Sequence, residues 1–370
     1  MIKSQVRDYN IVVIITHFVP PQIKVTSLVR DYLLGRLKFE YLRSWARLIK
    51  HGTRGNQPWK RDIMTRARRE NSKYREDYLA QVIKSLEEIE CKSLHIHVFS
   101  NQLIDFPVIK TSTKFQCHVY KKYSKMNQLN NSPWSENEQN SPWYLLWEHK
   151  DLLRSLGETE DSETLYIVTE NDFLITQKNI DYWLRNRIAL RKSQLIPSFI
   201  LIEYSKNRRN WFCPSIHDFN DRSKEKWSLI SISNKTFAHI PSLYAGMFIL
   251  DWELLSEYIN SEAIDPVKSK SLTWWDLGAR AAMGLQFLEP PIGITDRYVI
   301  GLNGDGDGFE MGALLHHLPN LYVSVPEVSS KFPTINQILD KVQLAPMHSL
   351  SHRDNLSVLS LDRDKFTPNS

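Results

Sequence analysis

The sequence predicts an α/β fold with helices packed on a mostly parallel sheet, and three observations carry that prediction. Residues 9–18 contain the continuous β-branched run Ile11-Val12-Val13-Ile14-Ile15, the pattern of a strand buried on both faces. Buried runs of the same kind recur at 164–169 and 198–204. Between them, apolar residues recur at three- and four-residue spacing, and strand–helix–strand alternation of this sort places helices against a sheet.

Composition narrows the class. The chain has 370 residues, 42% hydrophobic and 24% charged, which excludes wholesale disorder. Aromatic residues reach 11%, enough for a large core and for rings lining a ligand groove. Three cysteines, Cys91, Cys117 and Cys213, are too few for a disulfide scaffold, and no Cys-x-x-Cys pair is present to hold zinc. A reducing compartment is expected. No apolar run near the start approaches the about 18 residues a membrane span requires, and no signal-peptide pattern precedes the first strand. The expected location is cytoplasmic.

Taken in order, the first strand is followed by a segment at about 24–90 that reads as a basic helical insertion. Its core, residues 36–76, holds thirteen Lys or Arg against four acids, with Trp45, Trp59 and Tyr74 interleaved. Such a segment is either a solvated helical face or an electrostatic footprint for an anionic membrane surface or nucleic acid; no nucleic-acid motif accompanies it. A second strand is expected at 93–100, where His95 and His97 share one face, as surface histidines or as a two-histidine metal site. Residues 123–142 read as a loop and 143–153 as a helix. The strand at 164–169 leads to Thr176, a cap for a helix carrying Ile180, Trp183, Leu184 and Ile188. Residues 1–345 read as one domain, and 346–370 as a polar, disordered tail.

The sharpest local feature is the pair Glu170 and Asp172 at the exit of that strand. Ligands gather beyond the carboxyl ends of strands in open α/β sheets. Acids at i and i+2 on an extended exit point to one side, and can present oxygens to a hard divalent cation that clamps a diphosphate. The alternative is an acidic turn before the next helix.

Several co-linear segments surround this pair. They are Tyr166 to Thr176, Ile180-Asp181-Tyr182-Trp183-Leu184, and Leu195-Ile196-Pro197-Ser198-Phe199; then Tyr244-Ala245-Gly246-Met247-Phe248, Arg280-Ala281-Ala282-Met283-Gly284 and His316-His317-Leu318-Pro319-Asn320. Together they resemble a little-characterised family of glycosyltransferase-like proteins, over about residues 143–325. The resemblance implies a GT-A nucleotide-diphospho-sugar transferase fold, a Rossmann-like mixed sheet flanked by helices. It also implies that the acidic motif holds a divalent metal on the donor diphosphate. Two departures stand out: the middle acid of the family's Glu-Asp-Asp is Asn171 here, and Ser242-Leu243 replaces the Asn-Pro before Tyr244.

On this resemblance Glu170 and Asp172 hold Mn²⁺ or Mg²⁺, and a late histidine, His317 in preference to His316, completes the shell. Asp276 is a helix cap or the general base for an acceptor hydroxyl, with Trp274 and Trp275 stacking on sugar rings. Lys150, or His149, and Arg280 are the candidates for the nucleotide phosphates. The first strand would cradle the nucleotide by fold analogy. Gly304-Asp305-Gly306-Asp307-Gly308 lacks the register of an EF-hand and reads as a flexible loop near the site. The expected function is metal-dependent transfer of a sugar from a nucleotide-diphosphate donor to an acceptor hydroxyl. That acceptor is a glycan, a lipid-linked molecule or a small molecule. A non-catalytic sugar- or nucleotide-binding module of the same fold, docked through its basic segment, is the alternative that Asn171 favours.

Overall fold

The β-branched run folds as β1 (Asn10–His17), buried along its length from Ile11 onward. Its parallel neighbours are β2 (Ser93–Ser100) and β4 (Thr164–Glu170), and β3 (Thr113–Val119) extends the sheet beyond β2. A fifth strand, β11 (Met247–Leu250), closes the other edge antiparallel to β4, so the order is β11-β4-β1-β2-β3 and the sheet is mixed. The computed structural model describes residues 5–18, 73–104, 110–123, 142–159, 161–206, 208–216, 227–320, 322–323 and 332–349.

This order places the site. From β1 the chain steps outward through β2 and β3, then returns to the opposite side of β1 as β4. Strand order therefore reverses between β1 and β4, and the crevice beyond their carboxyl ends is where an open sheet of this Rossmann-like kind receives ligands. Thr16 of β1 stands opposite Glu170 of β4, so His17 and Asn171 are the next residues out at the switch.

Helices flank the sheets. They are α1 (Lys73–Glu87), α2 (His149–Leu156), α3 (Gln177–Leu190), α4 (Trp252–Ile259), the short α5 (Leu277–Ala281) and α6 (Ile335–Gln343). In α1, Leu79, Val82, Ile83 and Leu86 form the buried stripe at helical spacing. The start of α3 is tied by Asn179, whose Oδ1 accepts from the Thr176 backbone N–H at 2.9 Å and from its hydroxyl at 2.7 Å. Asn179 Nδ2 donates in turn to Gly312 O and Leu314 O, anchoring the helix to a strand far along the chain. Ile180, Trp183 and Leu184 are buried as their spacing predicts, but Ile188 is 62% exposed. The next inward position belongs to Arg187, ion-paired with Asp251 and Glu253.

Two further sheets complete the fold. One has the order β14 (Met347–Ser349), β9 (Ser228–Ile232), β10 (Lys235–His239), β12 (Tyr298–Gly301), β6 (Ile196–Pro197). The other runs β5 (Phe173–Leu174), β13 (Leu314–His317), β7 (Ile200–Ser205), β8 (Asn210–Phe212). One apolar cluster runs from Val6 through all three sheets to Val342.

Several expectations are corrected. The helix expected at 143–153 is two pieces, a 3₁₀ turn (Pro142–Trp147) and then α2, with Trp147 held by its indole N–H on Leu277 O at 2.9 Å. The tail expected from 346 begins as strand β14, paired with β9; residues 350–370 lie outside the described residues. Of the basic segment, only α1 and the residues after it are described; residues 36–72 lie outside. His97 pairs with His118 of β3, Nδ1 to Nε2 at 3.1 Å, rather than with His95. No helix among the described residues is long and apolar enough to cross a membrane.

His149 is fully buried, its ring bridging Leu146 O at 2.7 Å and the Tyr258 hydroxyl at 3.0 Å. This removes it from any phosphate site and makes it a pH-sensitive strut. Burial pushes its pKa down to about 4. The folded protein holds it neutral while the unfolded chain protonates it near 6.5. Stability from this group is therefore complete above about pH 6.5 and declines as pH falls toward 4, by about 2 kcal/mol at pH 5. Urea unfolding at pH 7 and pH 5 checks this: His149→Gln should lose less stability between the two pH values than the wild type, and equal losses would contradict it.

Candidate functional site

The exit from β4 sends three consecutive side chains to three different partners. Asn171 is buried, and its Nδ2 donates to His17 Nδ1 at 2.7 Å, tying the ends of β4 and β1 together at the switch. Glu170 accepts a short hydrogen bond at Oε1 from the Tyr244 hydroxyl. Asp172 meets His317. The residue that departs from the resembled motif is thus used inside the fold, where an amide donor suits a neutral imidazole.

Tyr244 reaches Glu170 because the turn before β11 is fixed at both ends. Ser242 adopts a left-handed conformation (φ 53°), and its N–H donates to Asp296 Oδ2 at 2.7 Å; Asp296 is fully buried. Gln286 Nε2 holds Leu243 O at 3.2 Å. Gly246 is also left-handed (φ 66°), and a Cβ there would stand 2.2 Å from Cε2 of Phe173, so both backbone and space require glycine. Burial and the adjacent Glu170 carboxylate push the Tyr244 phenol well above its ordinary pKa, so it stays a donor.

Asp172 and His317 are brought together by the pairing of β5 with β13, which sets His317 opposite Phe173. The Leu318 N–H closes the register on Asp172 O at 2.9 Å. His317 Nε2 lies 3.2 Å from Asp172 Oδ2, and Nδ1 makes a short hydrogen bond to Glu203 Oε1. Glu203, on β7, is fully buried; its other oxygen accepts from the Tyr322 and Val323 amides at 2.9 and 3.0 Å. Burial alone would lower the His317 pKa, but the two carboxylates outweigh it and raise it to about 10. His316 turns to the other side, edge-on to Trp211.

Asp172 Oδ1 is buried with no hydrogen-bond partner, which a carboxylate tolerates poorly unless a cation or water takes it. With the neighbouring His317, whose Nε2 proton a divalent cation would displace, it would offer that cation two protein donors. Among the described residues no group of three or more His, Cys, Asp or Glu forms a metal-holding cluster. Two donors nonetheless suit Mg²⁺ or Mn²⁺, which take one or two carboxylates and fill their remaining positions with substrate phosphates and water. Glu203 on Nδ1 orients the ring as a carboxylate behind a ligating imidazole does.

His317 also lines a cavity of about 340 Å³, together with Glu170, Tyr244, Tyr322, Trp274 and Asp276. Asp276 is the N-cap of α5, accepting from Ala279 N at 2.9 Å through Oδ1, and also lines the cavity; cap and candidate base are one residue with two oxygens. Arg280 departs from expectation. It is buried, with Nη1 on Trp275 O at 2.8 Å and Nη2 on Pro266 O at 3.2 Å, and so it organises the loop that carries the tryptophans instead of meeting phosphate. Lys150 is likewise absent from the cavity wall and sits within electrostatic reach of Asp265. The Gly304–Gly308 stretch is a tight turn closed by Asn303 and Gly308 (N···O 2.8 Å), also away from the wall.

Glu203 and Asp296 went unnoticed in the sequence. The signal for Glu203 was an acid directly after the apolar run Ile200-Leu201-Ile202 in one strand, where a carboxylate survives only with partners. No protein-family model matches the chain, and no curated protein matches it.

Proposed function

We propose that this chain is a metal-dependent glycosyltransferase of GT-A type, moving a sugar from a nucleotide-diphosphate donor to an acceptor hydroxyl. The observation that carries the reading is the unpartnered, buried Asp172 Oδ1 beside a His317 ring held from behind by Glu203. The charge balance of the cavity supports it. Its wall carries Glu170 and Asp276, with Asp172 beside it, and among the described residues no lysine or arginine lines it. A diphosphate entering a site of that sign needs a divalent cation, because like charges in a half-buried cleft repel strongly. The sheet order, with four strands in three parallel pairings and an antiparallel strand beside β4, is compatible with the proposed fold.

Each residue then has a role. Asp172 and His317 hold the cation; Glu203 fixes the imidazole so that Nε2 faces Asp172; Tyr244 holds Glu170 in place. When bound, the cation offsets the negative charge that builds on the departing diphosphate. Asp276, through the oxygen its cap leaves over, takes the proton from the acceptor hydroxyl as the new carbon–oxygen bond forms and the sugar–phosphate bond breaks. The binding-module alternative drew its weight from Asn171. Since that amide is engaged with His17, its not being an acid takes nothing from the Asp172–His317 pair.

The test is release of nucleoside diphosphate from a panel of UDP-, GDP- and dTDP-sugars with and without Mn²⁺. Turnover that requires Mn²⁺ and falls by about 100-fold or more in Asp276→Asn is expected. Turnover unchanged in Asp276→Asn would remove the base, and absence of release from every donor would remove the transferase reading.

A further inference from the structure

The two tryptophans before α5 are not equivalent. Trp275 is buried, packed edge-on to Tyr244 (centroids 5.5 Å) and to Phe287 (4.9 Å), and serves as part of the core. Trp274 is 80% exposed although it lines the cavity. An indole left in solvent at the rim of a concave site, on a loop whose carbonyls are fastened by the buried Arg280, is a preorganised flat surface.

Two polar residues line the same cavity. Ser215 is 6% exposed, and its Oγ is buried without a hydrogen-bond partner while the residue faces the cavity. Asp276 uses Oδ1 for its cap and leaves Oδ2 over. A cavity that holds a flat apolar surface, a buried hydroxyl without a partner and a spare carboxylate oxygen fits a ligand that has an apolar face and a rim of hydroxyls. A lipid chain would need a continuous apolar wall and would strand Ser215. A peptide hydroxyl would leave the indole uncovered.

Resting on the transferase reading above, we propose that the acceptor is a carbohydrate, a pyranoside whose ring lies on Trp274 while Ser215 Oγ and Asp276 Oδ2 bind its hydroxyls. Asp276 then meets the acceptor oxygen it is to deprotonate, and Trp274 sets which face of the sugar is presented. Trp275 also borders the cavity but is 6% exposed, and it supports the platform through its packing on Tyr244 and Phe287.

The test is saturation-transfer NMR with four probes: the methyl pyranosides of glucose, galactose, mannose and N-acetylglucosamine. They are applied to the wild type, Trp274→Ala, Trp274→Phe and Ser215→Ala, with calorimetric binding of UDP and GDP in Mn²⁺ measured in parallel. The expected result is transfer to the ring protons of at least one pyranoside, weakened roughly tenfold or more in Trp274→Ala and partly kept in Trp274→Phe, with nucleotide binding unchanged in both. Nucleotide binding with no pyranoside signal, or a signal indifferent to Trp274, would overturn the platform and leave the donor reading standing. Pyranoside binding that depends on Trp274 without any nucleotide binding would keep the sugar site and remove the transferase. Binding of neither would overturn both.

Discussion

Asp172→Asn is expected to weaken Mn²⁺ binding by about 100-fold or more, because it takes the negative charge from a carboxylate whose Oδ1 is buried without a hydrogen-bond partner. The substitution keeps the side chain's shape, and an amide oxygen can still face His317, so the fold should be unaffected. What changes is charge. The Oδ1 that is buried and unpartnered loses its share of the negative charge, and a hard cation loses the oxygen it binds most strongly. The measurement is the electron paramagnetic resonance signal of free Mn²⁺ titrated with wild type and variant, with circular dichroism as the folding control. An unchanged affinity would take Asp172 out of the site.

The second large effect falls on a residue that touches no substrate. Glu203 accepts three hydrogen bonds with no exposure to water, one from His317 and two from the amides of Tyr322 and Val323. In Glu203→Gln the side-chain oxygen can keep the two backbone amides, and its NH₂ then faces His317 Nδ1. That nitrogen must become an acceptor, so the neutral ring keeps its one proton on Nε2, the nitrogen that a cation needs free. Mn²⁺ affinity is expected to fall by roughly 10–100-fold, the usual cost of losing the group behind a ligating histidine. Glu203→Leu goes further, stranding both amides and the imidazole, and should lower unfolding free energy by about 3–5 kcal/mol in urea titration. A Glu203→Gln variant with wild-type Mn²⁺ affinity would mean that His317 does not ligate.

These two residues also mark where sequence reading succeeds and where it stops. The strands β1, β2, β4 and β7 were legible because burial on both faces leaves an uninterrupted apolar signature or a strict alternation in a short window. Thr176 and Asp276 were legible as caps because capping is local chemistry. Glu170 and Asp172 stood out as acids at a strand exit. The meeting of Asp172 with His317 was not legible in the same way: the two are 145 residues apart, and their contact depends on the register of the two-residue strand β5 on β13. The other strands of the two smaller mixed sheets, β7 apart, were missed for a related reason, since strands of two to five residues carry too few alternations to register. Lys150 and Arg280 drew attention because a cation's type suits phosphate wherever it lies. Arg280 is turned inward by carbonyls at Pro266 and Trp275 that no motif announces. Asn171, read as a lost ligand, is a buried donor to His17 across the switch.

The central claim is that Asp172 and His317 bind a divalent cation together with a nucleoside diphosphate. Calorimetric titration of UDP and of GDP into the wild-type protein, with Mn²⁺ and with the metal chelated, tests it most directly. Binding of at least one nucleotide that appears with Mn²⁺ and vanishes on chelation is the predicted result. Binding of equal strength in both conditions would contradict it and leave Asp172 and His317 as a buried ion pair with no part in holding the donor.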